Sequence, residues 1–185
     1  MPNHVENELY IHGPREDRDN FVNQAEGYTI DYNEYRNEET KSVIVLDFSN
    51  FIPYPEEFKK QDQVAQDWAR QYYSLPEDQR DNLYQTRPTD GYNSGGYEWC
   101  RDNWDTKWNA YHTKRSETKT SVRYDFQTAW SPPTKVIIAM AFQYPTLTFL
   151  LKSFECGGQF ECRYKIKGNN IIEDITKPYY GSRGG

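Results

Sequence analysis

The sequence predicts an α+β domain in which an antiparallel sheet is covered on one face by two helices. Three observations carry that prediction. Val5, Asn7, Leu9 and Ile11 alternate with Glu6, Glu8 and Tyr10, the period of a half-buried strand. Val122, Tyr124 and Phe126 repeat the pattern later in the chain, and residues 136–142 form its most apolar stretch, read as a helix. At 185 residues one compact domain with an insertion is the expectation.

The first strand, residues 5–11, ends at Gly13-Pro14, and Pro14 suits the first turn of a helix. Residues 15–24 then read as a short polar helix pinned by Phe21 and Val22. Residues 20–40 are polar and Tyr-rich and read as loop with some irregular strand; the Tyr28, Tyr32, Tyr35 spacing fits either a helical face or a loop. The apolar run Val43-Ile44-Val45-Leu46 leads to Asp47-Phe48-Ser49 and to Ile52-Pro53-Tyr54-Pro55, which the prolines hold extended. Pro55-Glu56-Glu57 opens a helical stretch with carboxylates where the macrodipole favours them. Helix recurs at 63–73 and 76–84, and these polar pieces read as an insertion lying over the core.

After the Gly/Asn/Ser loop of residues 90–96, residues 97–103 read as a short helix with Trp99 and Asn103 one turn apart on one face. Residues 104–107 turn the chain. Residues 108–114 are predicted as a strand with Trp108, Ala110 and His112 on one side, and Arg115-Ser116-Glu117 as the hairpin tip before a second strand over 120–128. Ser131-Pro132-Pro133 starts the apolar helix, Tyr144-Pro145 closes it, and residues 147–154 form a strong strand. A terminal hairpin over 160–166 and 171–175 turns at Gly168-Asn169-Asn170. This is the split βαβ order of a ferredoxin-like antiparallel sheet with two helices on one face, a mostly helical insertion and a C-terminal hairpin. Residues 1–176 are read as the domain, with the insertion at about 50–95, and residues 177–185 as a flexible tail.

Composition narrows the function classes. The hydrophobic fraction is 36%, low for a globular chain, but 16 Tyr and 5 Trp let a core form from fewer side chains. Net charge is −6, which argues against binding long nucleic acid. Residues 1–100 hold 9 Lys/Arg against 20 Asp/Glu, whereas residues 101–185 hold 13 against 8. A basic patch on the C-terminal half would suit a small phosphorylated ligand, and simple attraction between the halves explains the same split. The start of the chain has neither a basic n-region nor an apolar h-region, and no stretch approaches a membrane span. Cys100, Cys156 and Cys162 have no metal-like spacing and read as reduced thiols of a cytosolic protein.

Four blocks carry a family resemblance. They are Met1-Pro2-Asn3 with Asn7, Leu9, Ile11 and Gly13; Asp47-Phe48-Ser49 with Ile52-Pro53 and Pro55-Glu56-Glu57; Gly96-Tyr97-Glu98-Trp99 through Asn103-Trp104 and Thr106-Lys107-Trp108-Asn109-Ala110-Tyr111; and Phe126 with Thr128-Ala129-Trp130-Ser131-Pro132-Pro133. The chain resembles the YubB-like ferredoxin-fold family of phage and plasmid proteins. The resemblance implies a fold and a mobile-element origin, hence the host cytoplasm, but no reaction. The family usually has Trp-Cys where this chain has His4-Val5, and a small residue near Asp105, both beside a pocket next to the first strand. Residues 60–95 have no counterpart.

Asn103, Trp104, Lys107, Trp108 and Asn109 combine a cation, two indoles and two amides, a set that stacks a planar ring and holds a phosphate or carboxylate. The same residues serve equally to pack the insertion against the sheet. Trp130 and Ser131 stand at a strand-to-helix junction, where helix amides and the Ser131 hydroxyl hold an anion or Ser131 simply caps the helix. Trp99 and His4 complete the candidate ligand-binding set. His4, His12 and His112 form no metal motif and no acid/base set, and no cofactor motif is present. Cys100 beside Arg101 has no base to activate it. Gly157-Gly158 reads as a hairpin or bulge rather than a phosphate loop.

The expectation is a non-catalytic phage or plasmid binding protein that sequesters a small nucleotide-type immune signal as a counter-defence factor. The alternatives are a protein–protein inhibitor of a host defence enzyme and a phosphodiesterase-like hydrolase. The partner is thus a small nucleotide-like ligand or a host defence protein, not a membrane, and the sequence leaves an oligomer open.

Overall fold

The computed structural model describes residues 3–33 and 38–185. Met1 and Pro2 of the opening block, Tyr35 and the side chain of Tyr32 lie outside the described residues. The chain divides into two compact units, one of Met1–Gly27, Ile44–Pro53 and Cys100–Gly185, the other of Tyr28–Val43 and Tyr54–Trp99.

The first unit is an antiparallel six-stranded sheet with helices. Strand β1 (His4–His12) leads to helix α1 (Arg15–Ala25). After the excursion into the second unit come β4 (Tyr111–Glu117), β5 (Ser121–Ala129), helix α5 (Thr134–Gln143) and β6 (Thr148–Glu155). The strands lie in the order β4-β5-β1-β6, the ferredoxin-like arrangement, and β7 (Phe160–Lys167) and β8 (Asn170–Pro178) extend the sheet beyond β6.

The alternation legible in β1 and β5 is realised in the pairing. Val5 faces Thr128, Asn7 faces Phe126, Leu9 faces Tyr124 and Leu151, and Ile11 faces Val122 and Phe149. All of these are buried, and they make the sheet's inner face. Phe21 of α1 is the hub above it, with ring centroids 5.4 Å from Phe149, 5.2 Å from Phe51 and 5.4 Å from Tyr144. Val136, Ile137, Met140 and Ala141 of α5 complete the core. In α1 the inward residues are Arg18, Phe21 and Ala25 rather than Val22.

Three polar side chains on the inner face satisfy one another. The Asn7 amide donates to Thr128 Oγ1 (2.9 Å) and accepts from Ser153 Oγ (2.7 Å), across three adjacent strands. Buried polar groups are tolerated when they are paired in this way.

In the stretch read over 20–40 as loop with some irregular strand, β2 (Gly27–Asn33) and the start of β3 (Glu38–Ile44) form a two-stranded sheet. In the second unit, the helical pieces read over 55–73 are one continuous helix, α2 (Glu56–Ser74), followed by a 3-10 turn and α3 (Arg80–Tyr84). Helix α2 buries no residue completely, although Phe58, Ala65, Trp68, Ala69 and Tyr72 recur along it at helical spacing. Trp68 stacks on Tyr72 at 4.9 Å, and the Arg80 guanidinium closes the turn onto the carbonyls of Leu75 and Tyr73. A Cβ on Gly91 would collide with the Phe58 carbonyl, so only glycine fits there. Helix α4 (Tyr97–Trp104) contributes residues to both units.

Two further expectations are revised. Strand β4 begins at Tyr111, not at Trp108, and the hairpin tip is Thr118–Thr120, because Arg115-Ser116-Glu117 pair with β5. The segment read as a tail is tied down. The Arg183 guanidinium donates to Glu6 (2.9 Å), lies 2.9 Å from Glu8 and stacks 3.9 Å over the Phe154 ring, while Gly185 N–H donates to the His4 carbonyl. Gly157 and Gly158 turn β6 into β7, with their amides donating to the buried Glu155 carboxylate.

Candidate functional site

The segment between α4 and β4 is not extended, and a buried threonine decides where it goes. Thr106 Oγ1 donates to the Ala129 carbonyl (3.1 Å) and accepts from the Ala129 N–H (3.2 Å), while Lys107 N–H donates to the same carbonyl (3.4 Å). These bonds dock residues 106–107 against the end of β5, so Lys107 meets the next residue along, Trp130. The Lys107 ammonium lies 4.8 Å from the Trp130 ring centroid and 5.0 Å from that of Trp108. A cation between two indole faces is held by their quadrupoles.

Trp130 itself has φ +76 and is 43% exposed. A left-handed conformation in a bulky residue is strained. The surrounding loop imposes it. Thr128 Oγ1 donates to the Ser131 carbonyl (2.8 Å), the Trp130 N–H donates to the Asn3 carbonyl (2.9 Å), and the Ser131 hydroxyl donates to the Asp105 carbonyl. The buried Asn7–Thr128–Ser153 set is therefore continuous with the loop that presents Trp130.

Around this indole is an open cleft of about 340 Å³, lined by Arg101, Asp105, Lys107, Trp130, Ser131, Pro132 and Thr134. Its one carboxylate is engaged, since Asp105 accepts from the Lys135 N–H (3.0 Å) and pairs with the Lys135 ammonium (2.9 Å). Arg101 and Lys107 both line the cleft together with the partly exposed Trp130 ring. Such a set accommodates a planar ligand that carries negative charge.

The sequence-derived candidates are not all in this cleft. Lys107, Trp130 and Ser131 line it, and Trp108 stands behind Lys107, its ring centroid 5.0 Å from the ammonium. Trp104 does not: it is 3% exposed and its indole N–H donates to the Ile52 carbonyl (3.0 Å), which makes it a core residue. Asn109 is also structural. Its side chain accepts from the Phe48 N–H (3.0 Å) and donates to Asp47 (2.8 Å), fixing the turn before Pro53. Trp99 belongs to the second unit, where its ring meets Tyr54 edge-on at 5.6 Å. Asn103 is half-buried on the last turn of α4 and does not line the cleft. His4 bonds the Tyr111 hydroxyl (2.5 Å), and Tyr111, whose own pKa burial raises, meets Trp108 at 6.2 Å, so His4 stands two rings behind the cleft.

The start of α5, read either as an anion site or as a helix capped by Ser131, has no Ser131 cap, since that hydroxyl donates to the Asp105 carbonyl. Pro133 is the N-cap residue and no side chain caps it; the Asp105 carboxylate occupies the helix start instead. Sequence reasoning missed Asp105 as that partner, Thr106 as the docking residue and Arg101 as the second cation. None has a periodic signal, and only the Thr106-Lys107 block of the family resemblance touches this stretch. His4 and His12 stand at opposite ends of β1, roughly 27 Å apart at 3.4 Å per residue, and His112 bonds Gln127 (2.9 Å). Among the described residues no group of His, Cys, Asp and Glu is arranged to hold a metal ion, and no helix is long and apolar enough to cross a membrane.

Fold and site together define an α+β protein with a ferredoxin-like domain that presents a cation–indole cleft. Residues 103–183, which hold Lys107, Trp108, Trp130 and strands β4 to β8, match the family model described as the ferredoxin-like domain in Api92-like protein. The crystal structure of a protein api92 from Yersinia pseudotuberculosis superposes with a TM-score of 0.54 at 10% identity, over 98% of this chain and 99% of that one, a likeness of fold. No curated protein matches the chain.

Proposed function

We propose that this is a non-catalytic binding protein that takes a small nucleotide-type ligand in the Trp130 cleft. The observation that carries the reading is the Lys107 ammonium between Trp108 and Trp130, beside Arg101. The base stacks on the exposed Trp130 face, and Lys107 and Arg101 take the phosphate. Base–aromatic stacking contributes about 1–3 kcal/mol and tolerates any base. The YubB-like kinship, an origin in a phage or plasmid and a role in sequestering an immune signal in the host cytoplasm belong to the same proposal, and rest on the sequence blocks that contain this cleft.

The test is calorimetric titration with mono-, di- and cyclic nucleotides and ADP-ribose derivatives, followed by chromatography of the recovered ligand. The expected result is saturable binding with intact ligand. A modified product would overturn the reading in favour of a phosphodiesterase-like hydrolase, and absence of binding across the panel would remove the nucleotide. A second reading, a protein that blocks a host defence enzyme, draws on Ile138 and Phe142, exposed one turn apart on α5 (40% and 67%). A stoichiometric host protein retained by the parent chain but lost with Phe142→Glu supports it.

A further inference from the structure

Strand β8 ends the sheet, and its outer edge pairs with no strand among the described residues. Natural edges are blunted by charge, proline, bulges or short length. Here the edge is nine residues long and carries Ile171, Ile172 and Ile175 at 53%, 52% and 39% exposure. A register shift lies between Ile171 and Glu173, but from Glu173 to Pro178 the pairing with β7 is unbroken. In that stretch Glu173, Ile175 and Lys177 face one side of the sheet, and Asp174 and Thr176 the other.

We propose that β8 pairs antiparallel with β8 of a second copy about a two-fold axis through Ile175, joining the two sheets edge to edge. The register follows from symmetry and charge. A two-fold axis normal to the sheet keeps every side chain on its own face, so each residue meets one an even number of positions away, and the axis passes through a residue. The registers that engage at least five residues of β8 are centred on Ile172, Glu173, Asp174, Ile175 or Thr176. Centring on Glu173 or Asp174 sets two carboxylates face to face. Centring on Thr176 puts Lys177 against Ile175 and leaves Glu173 without a partner inside the strand. Centring on Ile172 runs through the shifted stretch and sets Glu173 against Ile171.

Centring on Ile175 alone matches the chemistry. Ile175 meets Ile175, Asp174 meets Thr176, and Glu173 meets Lys177 twice, once on each side of the axis, with Ile172 and Pro178 opposed only at the two ends. Directly opposed apolar pairs and opposite charges are the contacts that stabilise a sheet. The two charges are also suitably placed in the single chain. Lys177 has no ion pair among the described residues, while Glu173 is already oriented by Arg163 at 2.5 Å. The partner is therefore another molecule of this chain.

Sedimentation equilibrium from roughly 1 to 200 µM tests it, a range that brackets a dimer held by one strand pair. The expected result is a concentration-dependent species of twice 22.0 kDa. Lys177→Glu sets carboxylates opposite each other at two positions and weakens the dimer about tenfold. Adding Glu173→Lys to that variant restores opposite charges, and with them the dimer, in the Ile175-centred register only. Lys177 is exposed and makes no ion pair among the described residues, so an unchanged melting temperature shows that the fold of the single variant is intact. Ile175→Cys should cross-link between chains under oxidation faster than Ile172→Cys. A monomer throughout the range, a dimer indifferent to Lys177→Glu, or a charge swap that fails to recover association overturns the proposal.

Discussion

Trp130 offers a perturbation in which stability and binding separate. Trp130→Ala and Trp130→Gly delete the same indole, with its contact to Lys107 at 4.8 Å, and differ only in the backbone they leave behind. At φ +76 a residue with a Cβ is strained by about 1–2 kcal/mol, which alanine retains and glycine does not. Glycine costs about 0.5–1 kcal/mol more in unfolded-chain entropy. The difference leaves Trp130→Gly ahead by roughly 0.5–1 kcal/mol, or about 1–4 °C in melting temperature for a chain of this size. Both variants should lose about 1–3 kcal/mol of nucleotide binding, because both remove the stacking face. Urea unfolding and calorimetry on the two variants measure the two effects. An alanine variant as stable as the glycine one refutes the argument that the loop strains this residue. Undiminished nucleotide affinity in either variant removes Trp130 from the site, whatever the stability result.

Three further outcomes follow from contacts away from the cleft. Phe21→Ala should cost about 3–5 kcal/mol in urea unfolding, because the buried ring meets Phe51, Tyr144 at the end of α5 and Phe149 of the sheet at once; a loss under about 1 kcal/mol contradicts its place as hub. Asn109→Ala strips the acceptor from the Phe48 N–H and should cost about 1–3 kcal/mol by the same assay, with a change within error returning Asn109 to the candidate ligand residues. Glu8 tests the sign of pH dependence. Burial pushes its pKa up, but the Tyr10 hydroxyl and the Arg183 and Arg123 guanidiniums outweigh burial and hold it below the ordinary 4.5. A folded-state pKa below the unfolded one gives stability that is present above the unfolded value and lost as pH falls through the folded one. Stability should therefore fall through the acid range more steeply in the parent than in Glu8→Gln, and parallel pH profiles would show that the pairing makes no difference.

The parts of the fold legible in the sequence are those where one face is buried and the other wet. Residues 5–11 and 121–129 alternate because one face of the sheet is buried, and residues 136–142 are apolar because Val136, Ile137, Met140 and Ala141 lie in the core. Helix α2 escaped as a unit because the polar run Lys59 to Gln63 interrupts its apolar positions Phe58, Ala65, Trp68, Ala69 and Tyr72, and helix-forming residues such as Lys59 and Gln63 carry it across that gap. The start of β4 was misplaced for a different reason. Trp108, Ala110 and His112 alternate as a strand does, yet Asp105 at φ +62 and the Thr106–Ala129 bonds bend the chain before it can pair. A buried threonine that docks one loop on another leaves no periodic trace. The candidate site suffered the same way. Within residues 103–109 the sequence offers two indoles and two amides of equal standing, and after the turn at Asp105 Trp104 is left in the core, Asn109 on Phe48 and Asp47, and Lys107 against Trp130.

That turn also explains why the cleft is preformed. Trp130 is held left-handed by its own N–H bond to the Asn3 carbonyl and by the bonds that tie Ser131 to Thr128 and Asp105, and Thr128 is bonded in turn to Asn7, whose partners are buried in the centre of the sheet. Lys107 is fixed to the same strand end through Thr106. The two halves of the cleft, one from the loop after α4 and one from the loop after β5, are thus set by a single buried polar network rather than by their own side chains. Loosening that network, for instance at Thr106, relaxes the backbone at Trp130 and separates Lys107 from it together. A site built so carries its ordering cost in the folding of the sheet, and a ligand arriving there meets a cation and a ring already in place.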